Sequence, residues 1–229
     1  RIEIRCTHHH AMAASIAHEI GTPLSVVSGR AALIANGNLS VEKQKQNAEI
    51  IQSETDRITD MIRQVLDFAR QLPSEKTKVD LNEILIQVIE LLTTVAERNS
   101  IVMKSALAGT QALAFVDGGQ IRQVLTNMMV NGIQAMKPGG TLHLTLSQSS
   151  PESGEGSNLG SFEWQINVRD EGCGIPEENL ESIFEPFFTT KDVGDGTGLG
   201  LSLAYNMIQE QGGRIEVSSE PGKGSEFRI

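Results

Sequence analysis

From Ala13 to Ile34 the apolar residues fall at Ala13, Ile16, Ile20, Leu24, Val27, Ala31 and Ile34, always three or four apart. That spacing draws a single stripe along a helix. After the turn sequence NGNLS at 36–40, a second stripe runs through Ile51, Ile58, Ile62, Val65, Ala69 and Leu72, flanked by the polar runs EKQKQN and SETDR. Two helices joined by a short turn form a hairpin. Alone, such a hairpin leaves half of each stripe in water and is marginal as an isolated unit. Pairing two copies into a four-helix bundle covers both stripes, so a homodimer built on this segment is expected. The alternative is a hairpin packed on the rest of its own chain. Pro23 interrupts the first stripe, removes one backbone hydrogen bond and predicts a bend.

The texture changes after QLPSEKTKVD, where proline and charge break the helical pattern. Residues 1–72 read as the hairpin domain, 73–80 as a linker and 81–229 as a second domain. Residues 81–97 read as a helix with Asp80 as its N-cap. Strand-like stretches follow at SIVMKSAL, QALAFVD, GTLHLTLSQ, SFEWQINVRD, GRIEVSS and GSEFRI, with helices at 118–136 and 199–211. Strands and helices mixed in this order predict an α/β sandwich (α+β), with helices on one face of a sheet. SSPESGEGSNLG at 149–160 reads as a polar hairpin loop.

A net charge of −10 excludes most nucleic-acid partners, because no contiguous basic stretch exists to displace counterions. Cys6 and Cys173 read as free thiols in a reducing, cytoplasmic compartment. No run reaches the eighteen or so apolar residues of a membrane span, so no membrane contact by this stretch of chain is expected. The sequence begins at Arg1 and stops within a strand-like run, which predicts a fragment of a longer protein whose remainder is free to carry a membrane anchor.

Two glycine-rich segments, DEGCGIP (170–176) and GDGTGLGLSLAYNMI (194–208), could bring backbone N–H groups close to a phosphate ahead of a helix N-terminus. Neither satisfies the P-loop or the dinucleotide fingerprint: Lys223 is followed by Gly224, and Gly194, Gly196, Gly198 and Gly200 simply alternate. Their neighbours give them meaning. The helix QIRQVLTNMMVNGIQAM carries Asn127 and Asn131 one turn apart, and IFEPFFTTK gathers Phe184, Phe187 and Phe188, three of the seven phenylalanines. EPGKGSEFRI completes the series.

In this order the segments resemble the N, G1, F and G2 boxes of the ATP-binding domain of sensor histidine kinases. ASIAHEIGTPL then resembles that family's phosphoacceptor box, so the resemblance spans nearly the whole chain. It implies a dimeric four-helix bundle followed by an ATP-binding domain of the histidine kinase and gyrase type. The cofactors it implies are ATP and Mg2+, and the partner is a response regulator receiver domain. By the same resemblance Asn131 ligates Mg2+, with Asn127 supporting it from the same face. Asp170 accepts from the adenine amino group while Gly172 and Gly174 keep the backbone clear of the base. Gly196, Thr197, Gly198 and Gly200 frame the triphosphate, and the segment between Phe184 and Gly194 is a lid from which Lys191 meets a phosphate, a solvated lysine being the alternative. One departure stands out: Gln134 occupies a position where many relatives carry a lysine.

His18 lies two residues from both Ile16 and Ile20, away from the stripe, where an imidazole stays largely neutral and nucleophilic. The resemblance makes His18 the phosphoacceptor and Glu19 the acid that orients its other ring nitrogen and takes up its proton. Thr22 helps to place a water for dephosphorylating the partner. The more conspicuous triplet His8, His9 and His10 cannot share one ion on a helix, since consecutive side chains diverge by about 100°; His9 extends the stripe toward the dimer seam. His143 alternates with leucines and reads as an outward-facing strand residue. Two rival readings are an ATPase of the gyrase and mismatch-repair type and an inactive dimeric docking scaffold. The ATPases use a glutamate one turn before the metal-binding asparagine, where this chain has Asn127; the scaffold is disfavoured because every chemical position is filled.

Overall fold

The computed structural model describes residues 9–69, 74–136, 139–149, 163–191 and 197–229; the side chains of 9–19, 60, 63–65 and 67–69 lie outside that description. Two compact units result: Arg1–Gln71 with Pro186–Leu199, and Leu72–Glu185 with Gly200–Ile229.

In the first unit, α1 (His9–Ala35) and α2 (Val41–Ala69) form the expected hairpin. The turn closes where Gly37 takes φ +69°, a conformation glycine enters without strain. Ser40 then caps α2, its carbonyl accepting from Gln44 N–H and its Oγ from Lys43 N–H. Helical assignment continues through Pro23, whose side chain is fully buried. The apolar stripe is only half covered within one chain. Leu24, Ile62 and Leu66 remain 51%, 44% and 55% exposed.

The second unit is a sheet covered on one face by helices. Its elements are β1 (Thr77–Asp80), α3 (Leu81–Arg98), β2 (Ile101–Ala106), β3 (Leu113–Val116), α4 (Gly118–Ala135), β4 (Gly140–Ser149), β5 (Glu163–Asp170), α5 (Gly200–Gln211), β6 (Glu216–Glu220) and β7 (Gly224–Arg228). The five-stranded sheet has the order β2-β4-β5-β7-β6, with β2 and β4 parallel and the other neighbours antiparallel. Leu142, Leu144 and Leu146 of β4 are buried and the residues between them are not, the period of a sheet with one covered face. Ile84, Leu85 and Val88 of α3, Val124, Leu125 and Met128 of α4, and Ile208 of α5 complete the core. His143 lies on β4 between these leucines and is half-buried, its Nε2 3.6 Å from Glu171 Oε1.

The stretch 73–80, read from sequence as a linker, contains a strand. Residues 77–80 form β1, which pairs antiparallel with β3 in a separate two-stranded ribbon. Glu75 N–H donates to Asp117 Oδ2 at 3.1 Å and Lys76 Nζ to the Glu210 carbonyl at 2.8 Å, so this stretch is fastened to the second unit. Asp80 caps α3 as expected, its Oδ1 accepting from Asn82 N–H at 3.0 Å and also from Ala112 N–H at 3.1 Å. No helix among the described residues is long and apolar enough to cross a membrane.

Candidate functional site

The second unit gathers several of the expected site residues around α4. Asn127 and Asn131 lie one turn apart on the side of α4 that meets the start of α5. Asn127 Nδ2 donates to the Gly200 carbonyl at 3.2 Å. A Cβ on Gly200 would sit 3.9 Å from both Asn127 Cγ and Asn131 Nδ2. The first turn of α5 thus abuts two amides. Asn127 uses its nitrogen on the backbone, which leaves its oxygen as an acceptor. Such a donor set suits a hard cation that prefers oxygen ligands.

The next residue of α4 makes a second contact. A Cβ on Gly132 would lie 2.8 Å from Leu142 Cδ1 and 3.4 Å from Asp170 Cβ, so glycine here lets α4 approach the end of β5. Asp170 is buried, with 4% of its surface accessible. Its Oδ1 accepts from Gly172 N–H at 2.8 Å and from Ser225 N–H at 3.3 Å. Burial pushes the Asp170 carboxyl above its ordinary range, and the N–H bonds from Gly172 and Ser225 counter that only in part. Next to it, exposed Glu171 accepts from Thr141 N–H at 2.9 Å, and that bond, with His143, holds its carboxyl below the usual range.

The glycines after Asp170 are there for space. At Gly172 a Cβ would meet the Ala135 carbonyl oxygen and Asp170 Oδ1, both at 2.7 Å. At Gly174, with φ +71°, it would lie 2.1 Å from the Glu220 carbonyl oxygen. Cys173 between them is exposed, and its backbone exchanges hydrogen bonds with the Ala135 carbonyl and Gly222 N–H.

The first unit holds the others. His18 and Glu19 lie on α1 with side chains outside the described part, as do those of His9 and His10, while His8 lies outside the described residues altogether. Thr22 is half-buried on α1, one residue before Pro23. Phe187 N–H donates to the Gly198 carbonyl at 2.9 Å, and both residues have positive φ, +69° and +65°. This bond pinches together the ends of the stretch between them, which carries Lys191 and Thr197, both half-buried. Lys191 N–H donates to Thr189 Oγ1 at 3.2 Å. Gly196 falls outside the described residues.

Three contributors escaped sequence reasoning. Ser225 and Gly132 both touch Asp170, and Gly224 lets the two strands close on it, since a Cβ there would be 2.0 Å from the Asp170 carbonyl oxygen. Glycines inside GKGS and VNG were the available signal; Ser225 acts through its backbone N–H, which leaves no mark in sequence. Among the described residues no three His, Cys, Asp or Glu side chains cluster as metal ligands.

Comparison with known proteins finds two families along the chain. Residues 9–73 match the His Kinase A (phospho-acceptor) domain, and residues 116–229 match the family described as Histidine kinase-, DNA gyrase B-, and HSP90-like ATPase. Sensor histidine kinase ZraS of Escherichia coli (strain K12) is 34% identical over 218 residues, 95% of this chain and 44% of that protein. Sporulation kinase C of Bacillus subtilis (strain 168) is 34% identical over 219 residues, 95% of this chain and 47% of that protein. The chain therefore spans less than half the length of these relatives. Among solved structures, histidine kinase ThkA in complex with response regulator protein TrrA is similar over 96% of this chain and 60% of its own, with a TM-score of 0.75 and 25% identity. Full-length ShkA in complex with AMPPNP is similar over 94% of this chain and 44% of its own, with a TM-score of 0.65 and 29% identity. With a phosphoacceptor domain and an ATPase domain in one chain, the protein belongs to the sensor histidine kinases and comprises their catalytic core.

Proposed function

We propose that this chain transfers the γ-phosphoryl group of ATP to His18 and passes it to an aspartate in the receiver domain of a response regulator. The observation that carries the reading is the buried carboxylate of Asp170, fixed by two backbone N–H groups in a chain that also holds a phosphoacceptor hairpin. A carboxylate in that position accepts from the adenine amino group and repels the keto oxygen of guanine. Gly172 and Gly174 let the backbone after Asp170 pack against Ala135 and Glu220, which supports the carboxylate beside the base.

The resemblance assigns the triphosphate to Gly196, Thr197, Gly198 and Gly200, the last opening α5, whose N-terminus favours an anion. The amide oxygens of Asn131 and Asn127 would hold Mg2+, which neutralises charge on the phosphate oxygens during transfer. Lys191 adds a cation, a contribution that gains weight with Gln134 in place of the familiar lysine. One ring nitrogen of His18 attacks the γ-phosphorus. The bond from that phosphorus to the bridging oxygen breaks, ADP departs, and Glu19 takes the proton from the other ring nitrogen. The carboxylate of the regulator then displaces His18 from the phosphoryl group. Thr22, one turn beyond His18, positions water for the reverse task, dephosphorylating the regulator.

Residues 1–72 act in this scheme as the dimerisation and phosphotransfer domain, and residues 81–229 as the nucleotide domain, in a cytoplasmic setting. The exposed Leu24, Ile62 and Leu66 support a homodimer. The gyrase-type ATPase reading is weaker: its general base is a carboxylate, and Asn127 is an amide whose nitrogen is bonded to Gly200.

The test is direct. Incubated with Mg2+ and γ-labelled ATP, the protein is expected to acquire label that is lost in acid, survives base and is absent in His18→Gln. Acid-stable label, or label retained in that variant, overturns the assignment.

A further inference from the structure

The buried line of α2 is unexpectedly polar. Asn47 and Met61 on it are buried, and Glu54 and Arg57 are half-buried. Arg30 Nη1 of α1 donates to Asn47 Oδ1 at 3.1 Å, and this bond sets the hairpin register, residue 30 opposite residue 47. Both helices rise about 1.5 Å per residue and run antiparallel. Ten residues back from Arg30 and ten on from Asn47 reach Ile20 and Arg57. Arg57 therefore stands at the level of the turn that carries His18, Glu19 and Thr22.

Among the described residues Arg57 has one partner: its Nη1 lies 3.4 Å from Glu54 Oε2, one turn back on the same helix. Its Nε and Nη2 are buried and, among the described residues, have no hydrogen-bond partner. Buried donors are normally paired, and a guanidinium cannot shed its charge by losing a proton. The planar fork of Nε and Nη2 matches a carboxylate in two-pronged fashion. The 27 residues of α1 contain a single acid, Glu19. Residues 19, 23, 26 and 30 follow one another along one helix face by steps of four, three and four. On that line Pro23 is fully buried and Arg30 bonds α2.

We propose that Arg57 is a positioning residue of the phosphotransfer turn, holding the Glu19 carboxylate in place beside His18 through its Nε and Nη2 donors. Glu54 holds Nη1 from its own helix, which leaves the Nε and Nη2 edge for Glu19. The inference rests on the phosphoacceptor reading of His18. Arg57 touches neither ATP nor the transferred group and acts through Glu19 alone.

The experiment is a double-mutant cycle on autophosphorylation of the dimer, using Arg57→Gln, Glu19→Gln and the pair, with Arg57→Lys as a charge-retaining control. Arg57→Gln is expected to lower kcat roughly 10–100-fold with KM for ATP unchanged. Removing a cation beside a carboxylate raises its pKa, so the acid limb of the pH–rate profile moves to higher pH. The groups at issue are Glu19 and His18 on α1 and Arg57 and Glu54 on α2. In the Glu19→Gln background the same change is expected to alter kcat by no more than about twofold. Arg57→Lys, which keeps the charge, retains intermediate activity with the acid limb near its wild-type position. Equal losses in both backgrounds, or an unmoved acid limb in Arg57→Gln, overturn the proposal. So does an Arg57→Lys variant that folds but behaves as Arg57→Gln does. A wild-type protein that gains no acid-labile label instead sinks the phosphoacceptor reading, which keeps the two failures apart.

Discussion

Asp170 Oδ1 accepts the backbone N–H of Ser225 at 3.3 Å across 55 residues of sequence. One bond thus ties the end of β5 to the start of β7, the strand beside it in the sheet. It also orients a carboxylate that the fold otherwise disfavours. Burial raises the pKa of Asp170 above 3.8, so the folded protein binds this proton more readily than the unfolded chain does. Stability from this group is therefore greatest at low pH and declines as pH rises from 3.8 through the raised value.

Asp170→Asn follows from that sign. The amide oxygen keeps the Gly172 and Ser225 N–H bonds, while the amide nitrogen replaces the second carboxylate oxygen. The ionisation cost vanishes, so Tm at neutral pH is expected to rise by about 2–4 °C. The advantage shrinks as pH falls toward 3.8. Two donors now face each other at the adenine amino group, so ATP affinity is expected to fall about 10–100-fold, the loss of a hydrogen bond to a charged acceptor. Calorimetric melting and nucleotide titration on one preparation check both. A lower Tm together with intact ATP binding would remove Asp170 from the site.

Gly174→Ala should act mainly on structure. The new methyl would stand 2.1 Å from the Glu220 carbonyl oxygen at φ +71°, where neither backbone can yield cheaply. The nucleotide domain is expected to lose about 1–3 kcal/mol in urea unfolding followed by Trp164 fluorescence. Gly139→Ala, with positive φ but nothing within 4 Å, serves as the control and should cost less. Equal losses would place the cost in φ alone and not in the approach of residue 220.

These cases show which parts of the molecule were legible in sequence. The hairpin was, because 3.6-residue periodicity survives over two long helices, and so were the asparagine pair and the glycine segments, which require particular residue types. The strand β1 was not: TKVD is short, follows a proline and finds its partner β3 more than thirty residues later. Nor was the inner line of α2. The apolar stripe does not include Asn47, yet Asn47 is buried. Polar groups that pair with each other carry no hydrophobic signature, and Arg30 with Asn47 is such a pair. Ser225 is illegible for a different reason, since any residue but proline would supply its N–H.

The flank of the hairpin yields a test of the dimer. Ile62 and Leu66, at 44% and 55% exposure, stand one turn apart on α2. Covering each side chain in a bundle is worth about 1.5–3 kcal/mol, and two-fold symmetry counts each change twice. Ile62→Lys with Leu66→Lys is therefore expected to raise the dimer dissociation constant at least about 100-fold. Analytical ultracentrifugation reads this directly, and far-ultraviolet dichroism checks that the nucleotide domain stays folded. An unchanged dimer would move the seam to another face.

Thr22→Ala separates the two reactions assigned to the hairpin. Thr22 is half-buried one turn beyond His18 and just before the fully buried Pro23. Pro23 has no N–H, so the carbonyl of Glu19, four residues earlier, receives no helical hydrogen bond from it. Transfer from ATP to His18 needs no water, whereas dephosphorylation of the regulator consumes one. The alanine variant is thus expected to autophosphorylate within about twofold of wild type while phosphatase turnover falls by roughly 10–100-fold. Single-turnover assays with labelled ATP and with the phosphorylated receiver measure the two rates separately. If both fall together, Thr22 supports the fold of the turn; if neither falls, the water is held elsewhere.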